Sequence, residues 1–208
     1  MHSRVPRLPS LALVVLVGCA TFIPALPAAA HVEPPFEITF PQETTETYFS
    51  STFGARRSGG RRHQGIDLMA PRMTEVYAVA DGTVVTVGTN RLSGRNMKID
   101  HGDGWTSHYV HLNNDNPGTD DGDAPWWLTV APGIQEGATV EAGQLIGWVG
   151  DSGNAEGTAP HTHFELRRDD RPINPFSILR EAFDRARERE EWLAAQVLVA
   201  DRPHYEIE

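Results

Sequence analysis

The sequence predicts a mainly β fold, an antiparallel sheet with a groove across it, followed by one C-terminal α-helix. Three observations carry that expectation. From Tyr48 to Pro175 the chain is a succession of short apolar runs cut by glycine turns, as in VYAVADGTVVTVG, NMKIDHGDGWTSHYVHL and GATVEAGQLIGWVGDSG. Runs of this length, rich in Val, Ile, Thr and aromatics and split by Asp-Gly pairs, read as strands and hairpins. Only after residue 176 does the apolar spacing become helical, at Ile178, Leu179, Ala182, Phe183 and Ala186, and again at Trp192, Leu193 and Val197.

The segments follow in order. Residues 1–30 read as a signal peptide: Arg4 and Arg7 make a basic start, LALVVLVGCATFI is the apolar stretch, and Ala28-Ala29-Ala30 offers a small-residue cleavage site. The run LALVVLVG is too short to span a bilayer, and no later stretch approaches spanning length. The protein is therefore expected to be exported and to act outside the cytoplasmic membrane. Residues 31–47 form a Pro-rich acidic arm, either a tether or a segment lying along a sheet edge. Residues 48–176 are the β domain, in which His101-Gly102-Asp103-Gly104 is a hairpin turn. Residues 113–133, NNDNPGTDDGDAPWWLTVAPG, are a long polar insertion, of a length that in compact domains is usually functional or disordered. It is placed as one wall of the groove, with Trp126 and Trp127 either anchoring it or stacking on a ligand. Residues 177–208 are the helix and a tail. There is no internal repeat array.

Charge and cysteine usage narrow the function. The 208 residues carry 18 basic and 28 acidic side chains, a formal net charge of −10. That argues against nucleic acid, whose backbone requires a basic stripe, although Arg56, Arg57, Arg61 and Arg62 are clustered. Cys19 is the one cysteine. Leu16-Val17-Gly18-Cys19 resembles a bacterial lipobox, which gives a lipid anchor on Cys19 as the alternative to loss of Cys19 with the leader. In both cases the folded part has no thiol, so any metal site must come from His, Asp and Glu.

The chemistry concentrates in three stretches. In APHTHFELR, residues 159–167, His161 and His163 alternate with Thr162 and Phe164. In a strand the two imidazoles share one face while Phe164 turns to the core. In RRHQGIDLMAP, residues 61–71, His63 and Asp67 stand four apart. Gly65 and the strand-like Ile-Asp-Leu-Met oppose a helix, so His63 ends a loop and Asp67 sits in the following strand. With His163 they give a His₂Asp set, and three protein ligands with one open position suit a catalytic zinc rather than a structural one. In HYVHL, residues 108–112, alternation places His111 on the same face as Tyr109 and opposite His108.

Together these stretches resemble the lysostaphin-like (LytM-type, M23) zinc metallopeptidases, whose pattern is His-x-x-x-Asp, then Tyr-x-His-Leu, then His-x-His. HQGID, YVHL and HTHF occur in that order, and the likeness runs through FGARRSGGRRHQGIDL, KIDHGDGWTSHYVHL, GATVEAGQLIGWVGDSG and INP. The resemblance implies one zinc per chain held by His63, Asp67 and His163. It implies that His111 and His161 flank the metal as catalytic histidines, and that the substrate is a peptide of peptidoglycan. It leaves open the bond cleaved, glycyl-glycine or D-alanyl-diaminopimelate among others. Two departures stand out. Arg72-Met73 follows Ala-Pro where glycine is common, touching a turn. No tyrosine lies between residues 49 and 62, where relatives often carry one that holds the oxyanion. The alternative reading is a non-catalytic peptidoglycan-binding or activator protein of the same fold. All five residues are present here, which favours the enzyme. A copper site at His31, as in oxidative polysaccharide enzymes, lacks any other sign.

Overall fold

The structure is a computed structural model and describes residues 33–200, with side chains through residue 197. The leader, Cys19, His31 and residues 201–208 lie outside the described residues. Nine strands form among the described residues: β1 (Ile66–Met69), β2 (Glu75–Tyr77), β3 (Gly82–Asn90), β4 (Gly94–Gly102), β5 (Trp105–Leu112), β6 (Thr139–Val140), β7 (Leu145–Trp148), β8 (His161–Arg168) and β9 (Arg171–Ile173). They are followed by α1 (Phe176–Ala200). All pairings are antiparallel. The main sheet runs β1-β8-β5-β4-β3-β6, with β9 also beside β8, and β2 with β7 makes a separate two-stranded ribbon. The predicted fold class is the one observed.

Strand alternation sorts the main sheet into two faces. Trp105, Ser107 and Tyr109 of β5, Met97 and Ile99 of β4, and Phe164 and Leu166 of β8 are fully or almost fully buried in the core. The interleaved Lys98, His108 and His163 lie on the other face, and its His163 end lines the groove. The β4–β5 hairpin turns as expected, with Asp103 and Gly104 both at positive φ, which suits the right-handed twist of paired strands.

The acidic arm is packed along the sheet edge, not loose. Ile38 and Phe40 are buried, the Thr39 amide donates to the Val79 carbonyl, and Gln42 bridges Val76. Asn174 Oδ1 accepts the Phe176 amide at the start of α1, with Pro175 fixing φ just before it. Leu179 and Ala182 are buried, and Phe183 meets Phe40 and Phe49 edge-on. The second half of the helical stripe goes uncovered: Trp192, Leu193 and Val197 are exposed.

Two expectations are corrected. The insertion 113–133 does not line the groove. Asn113, Asn114 and Asp115 are buried and fold the segment back under the Gly150 loop, while Trp126 sits beneath the Arg95 guanidinium in a separate hollow. Arg72 does more than fill a turn. It pairs with Asp151, Asp115 and Asp120 and so pins the insertion to the domain.

Candidate active site

The site grows from backbone pairing. Ala55–His63 forms a hairpin closed by the His63 amide donating to the Ala55 carbonyl and the Arg57 amide donating to the Arg61 carbonyl. His63 emerges from it directly above β1. Gly65 then passes so close to β8 that a Cβ there would meet the Phe164 carbonyl oxygen at 2.1 Å. In β1 and β8, Asp67 stands opposite His163, and Met69 opposite His161. Directly opposed residues have Cβ atoms about 5 Å apart, so the Asp67 carboxylate and the His163 ring meet without distortion.

Three donor atoms converge. His63 Nε2, Asp67 Oδ1 and His163 Nδ1 are 2.9 Å from one another in each pairing. The outer nitrogens are tied to fixed acceptors. His63 Nδ1 donates to the Thr52 carbonyl at 3.0 Å, and His163 Nε2 to Glu165 Oε1 at 3.0 Å. A carbonyl or carboxylate only accepts, so each neutral ring turns a lone pair inward. Two imidazole lone pairs and a carboxylate oxygen in mutual contact repel unless a cation sits among them. The donor types and the outer hydrogen bonds are ones that could hold a zinc ion. The second oxygen of Asp67 is held by Arg57.

The titration directions agree. Burial works to raise the Asp67 carboxyl, but the His163 and His63 rings against it outweigh that and hold Asp67 well below the usual carboxylate range. Burial works to lower His163, and Asp67 and Glu165 outweigh it and raise it. Both directions say that positive charge is favoured at the point of convergence.

The other two histidines face the same space. His161 Nδ1 donates to the Ala159 carbonyl at 2.9 Å and His111 Nδ1 to the Ser152 carbonyl at 2.8 Å. Both therefore keep Nε2 free as an acceptor, and His161 Nε2 lies 3.9 Å from Asp67 Oδ1. The His111 ring is 5.1 Å from that of His161 and 6.1 Å from that of His163. Burial first, then the neighbouring His161, pushes His111 down to about 4. His111 is not on the face of Tyr109, as simple alternation had it. Between Tyr109 and Leu112, β5 spends one residue more than β4 does between Met97 and Arg95. This β-bulge, with His111 at φ 64°, re-aims the ring into the groove while Tyr109 stays in the core.

All five residues thus line one open groove of about 600 Å³. Glu165 and Arg57 escaped the sequence reading. Glu165 had a signal, since it follows His163 by two and shares its face. Arg57 had none, because its contact with Asp67 crosses the hairpin. No tyrosine lines the groove among the described residues, and Tyr48 is exposed beside Met69.

Several proteins of known description resemble this chain in part. A DD-carboxypeptidase/endopeptidase of Neisseria meningitidis is 33% identical over 136 residues, 64% of this chain and 27% of that protein. An L-Ala–D-Glu endopeptidase of Bacillus subtilis is 35% identical over 132 residues, 60% of this chain and 36% of that protein. The chain spans about a fifth to a third of the length of curated relatives it matches. A zinc-containing peptidase from Vibrio cholerae has a similar structure, with TM-score 0.53 and 25% identity over 66% of this chain and 39% of that one. The sequence profile of peptidase family M23 matches residues 61–124 and 127–175, more than half of the chain and every one of the five residues, and the chain belongs to that family.

Proposed function

We propose that this chain is a zinc-dependent endopeptidase that hydrolyses a peptide bond in peptidoglycan stems or cross-bridges, acting outside the cytoplasmic membrane. One observation carries the reading. Three inward lone pairs meet at a point, with two further imidazoles beside them whose Nδ1 atoms are held by backbone carbonyls.

His63, Asp67 and His163 would hold the zinc. Bound there, it would supply Lewis acidity and a water acidic enough to ionise near neutral pH. The chain's own part is proton handling and positioning. His111, kept neutral by burial, and His161, hinged on the Ala159 carbonyl, divide between them the acceptance of the proton shed by water and its delivery to the leaving amine. The C–N bond breaks, leaving a carboxylate and an amine. The Ser152 and Ala159 carbonyls fix both tautomers, so neither ring must reorient during turnover. Export rests on the expected leader, with a lipid on Cys19 as the other way to retain the protein at the envelope.

The test is mass spectrometry of purified peptidoglycan incubated with the zinc-loaded full chain. New peptide termini are expected from the wild type and none from Asp67→Ala or His163→Ala, which should also lose zinc. His161→Ala should lose turnover and keep most of its zinc. If zinc leaves His161→Ala as completely as it leaves His163→Ala, the division into ligands and proton carriers fails. If folded, zinc-loaded wild type releases nothing, a binding or activating role replaces hydrolysis.

A further inference from the structure

The groove is electrostatically lopsided. One wall is the hairpin that delivers His63, and it contributes Arg57, Arg61 and Arg62. Leu92, Ser93, Asn154, Ala155 and Thr158, which also line the groove, carry no charge. Residues 47–66 hold four arginines and no acid, in a chain whose acids outnumber its bases by ten. Arg57 has a carboxylate partner in Asp67. Arg61 and Arg62 have none among the described residues. Arg61 donates to the Ser58 carbonyl and hydroxyl, and Arg62 to the Gly54 carbonyl. Both residues are exposed and line the groove, with donors to spare.

The two acids of the groove do not cancel them. Asp67 is taken by the two imidazoles and Arg57, and Glu165 by His163 and Arg167. A cation bound at the three ligands adds to the positive field. We propose that Arg61 and Arg62 form a carboxylate subsite, so that the preferred substrate carries a free carboxylate within a residue or two of the scissile bond. Resting on the proposed function, this points to stem peptides, in which a γ-linked D-Glu and diaminopimelate leave carboxylates free, rather than to an uncharged glycine bridge. Guanidinium presents paired donors that match a carboxylate, whereas a carboxamide offers one acceptor and no charge.

The probes are the stem peptide L-Ala–γ-D-Glu–diaminopimelate–D-Ala and its twin with the D-Glu and diaminopimelate carboxylates converted to carboxamides. Binding is measured by calorimetry in the zinc-loaded full chain carrying His161→Ala, and cleavage in the zinc-loaded wild type. The free-acid peptide should bind about tenfold more tightly than its twin, the scale of a hydrogen bond to a charged group. Adding Arg61→Gln and Arg62→Gln together should abolish that advantage by weakening only the acid peptide. Adding Arg56→Gln, at a residue outside the groove lining, should leave it intact. Equal binding of the twins, or a preference that survives the double substitution, overturns the subsite. A binding preference without wild-type cleavage keeps the subsite and removes the hydrolase. Cleavage without a preference does the reverse.

Discussion

Glu165→Gln is the substitution that most sharply tests how the proposed metal ligands are held. Glu165 is buried and spends its two oxygens on two donors. Oε1 accepts from His163 Nε2 at 3.0 Å, and Oε2 accepts from Arg167 Nε at 2.6 Å. Glutamine has nearly the same shape and one oxygen fewer. If its oxygen serves Arg167, its NH₂ faces His163 Nε2, and two donors collide. The ring can then escape only by moving its proton to Nδ1, which hides the lone pair aimed between His63 and Asp67. If its oxygen serves His163, the NH₂ faces Arg167, and a charged donor loses its acceptor in a largely buried place. Neither arrangement reproduces the native state, so the conservative change should act almost like Glu165→Ala.

Partners in this position typically govern metal affinity by ten- to hundredfold, about 1.4 to 2.7 kcal/mol. Competition against a chelator of known zinc affinity reads that number directly. Thermal unfolding of the metal-free proteins controls for the fold. The expected result is a loss of at least about tenfold in zinc affinity for both Gln and Ala, well beyond any change in metal-free stability. Wild-type affinity in Glu165→Gln would refute the tautomer argument. A loss seen only with Ala would mean that volume, not the second oxygen, is what matters.

Gly65→Ala drives a methyl group into the β8 backbone at the Phe164 carbonyl. Because backbone rather than a flexible side chain is struck, the cost should be about 3 kcal/mol or more in urea unfolding, and a change under about 0.5 kcal/mol, the level of an ordinary surface substitution, would show that the His63 loop yields freely. His108 gives a pH signature. Burial, helped by Arg167 and Lys98 and opposed by Glu165, pushes it down to about 4. As pH falls below about 6.5 the unfolded chain takes up this proton and the folded one does not, so stability drains between about 6.5 and 4, by about 3 kcal/mol at most. Urea titrations of the metal-free protein should show a shallower fall for His108→Gln, and parallel curves would place the neutral His108 elsewhere.

The parts of the site that obey local periodicity were legible in the sequence. His161 and His163 share a face because strands alternate, and His63 precedes a strand because Gly65 and the β-type run after it leave no helix. The periodicity failed where the backbone stops being periodic. One additional residue in β5 moved His111 to the face opposite Tyr109, and a bulge is set by the register of two strands rather than by the residues inside it. Arg72 looked like a turn residue because its partners Asp115, Asp120 and Asp151 lie far along the chain. The placement of the insertion failed for the same reason, since the burial of Asn113 to Asp115 depends on contacts that composition does not record.

Four imidazoles in the groove have one nitrogen tied down, three of them to backbone carbonyls: His63 to Thr52, His111 to Ser152 and His161 to Ala159. A backbone acceptor survives any side-chain substitution that keeps the local path. The chemistry therefore leans on the course of three loops more than on the residue types within them. Thr52 and Ser152 can be exchanged for other residues without removing the acceptor, whereas a shift of the chain there would release a ring while leaving every histidine in place. His163 is the exception: its outer nitrogen rests on a side chain, Glu165. That makes His163 the one imidazole of the groove whose tautomer a single side-chain substitution can undo, and it is the one that stands directly opposite Asp67 across β1 and β8.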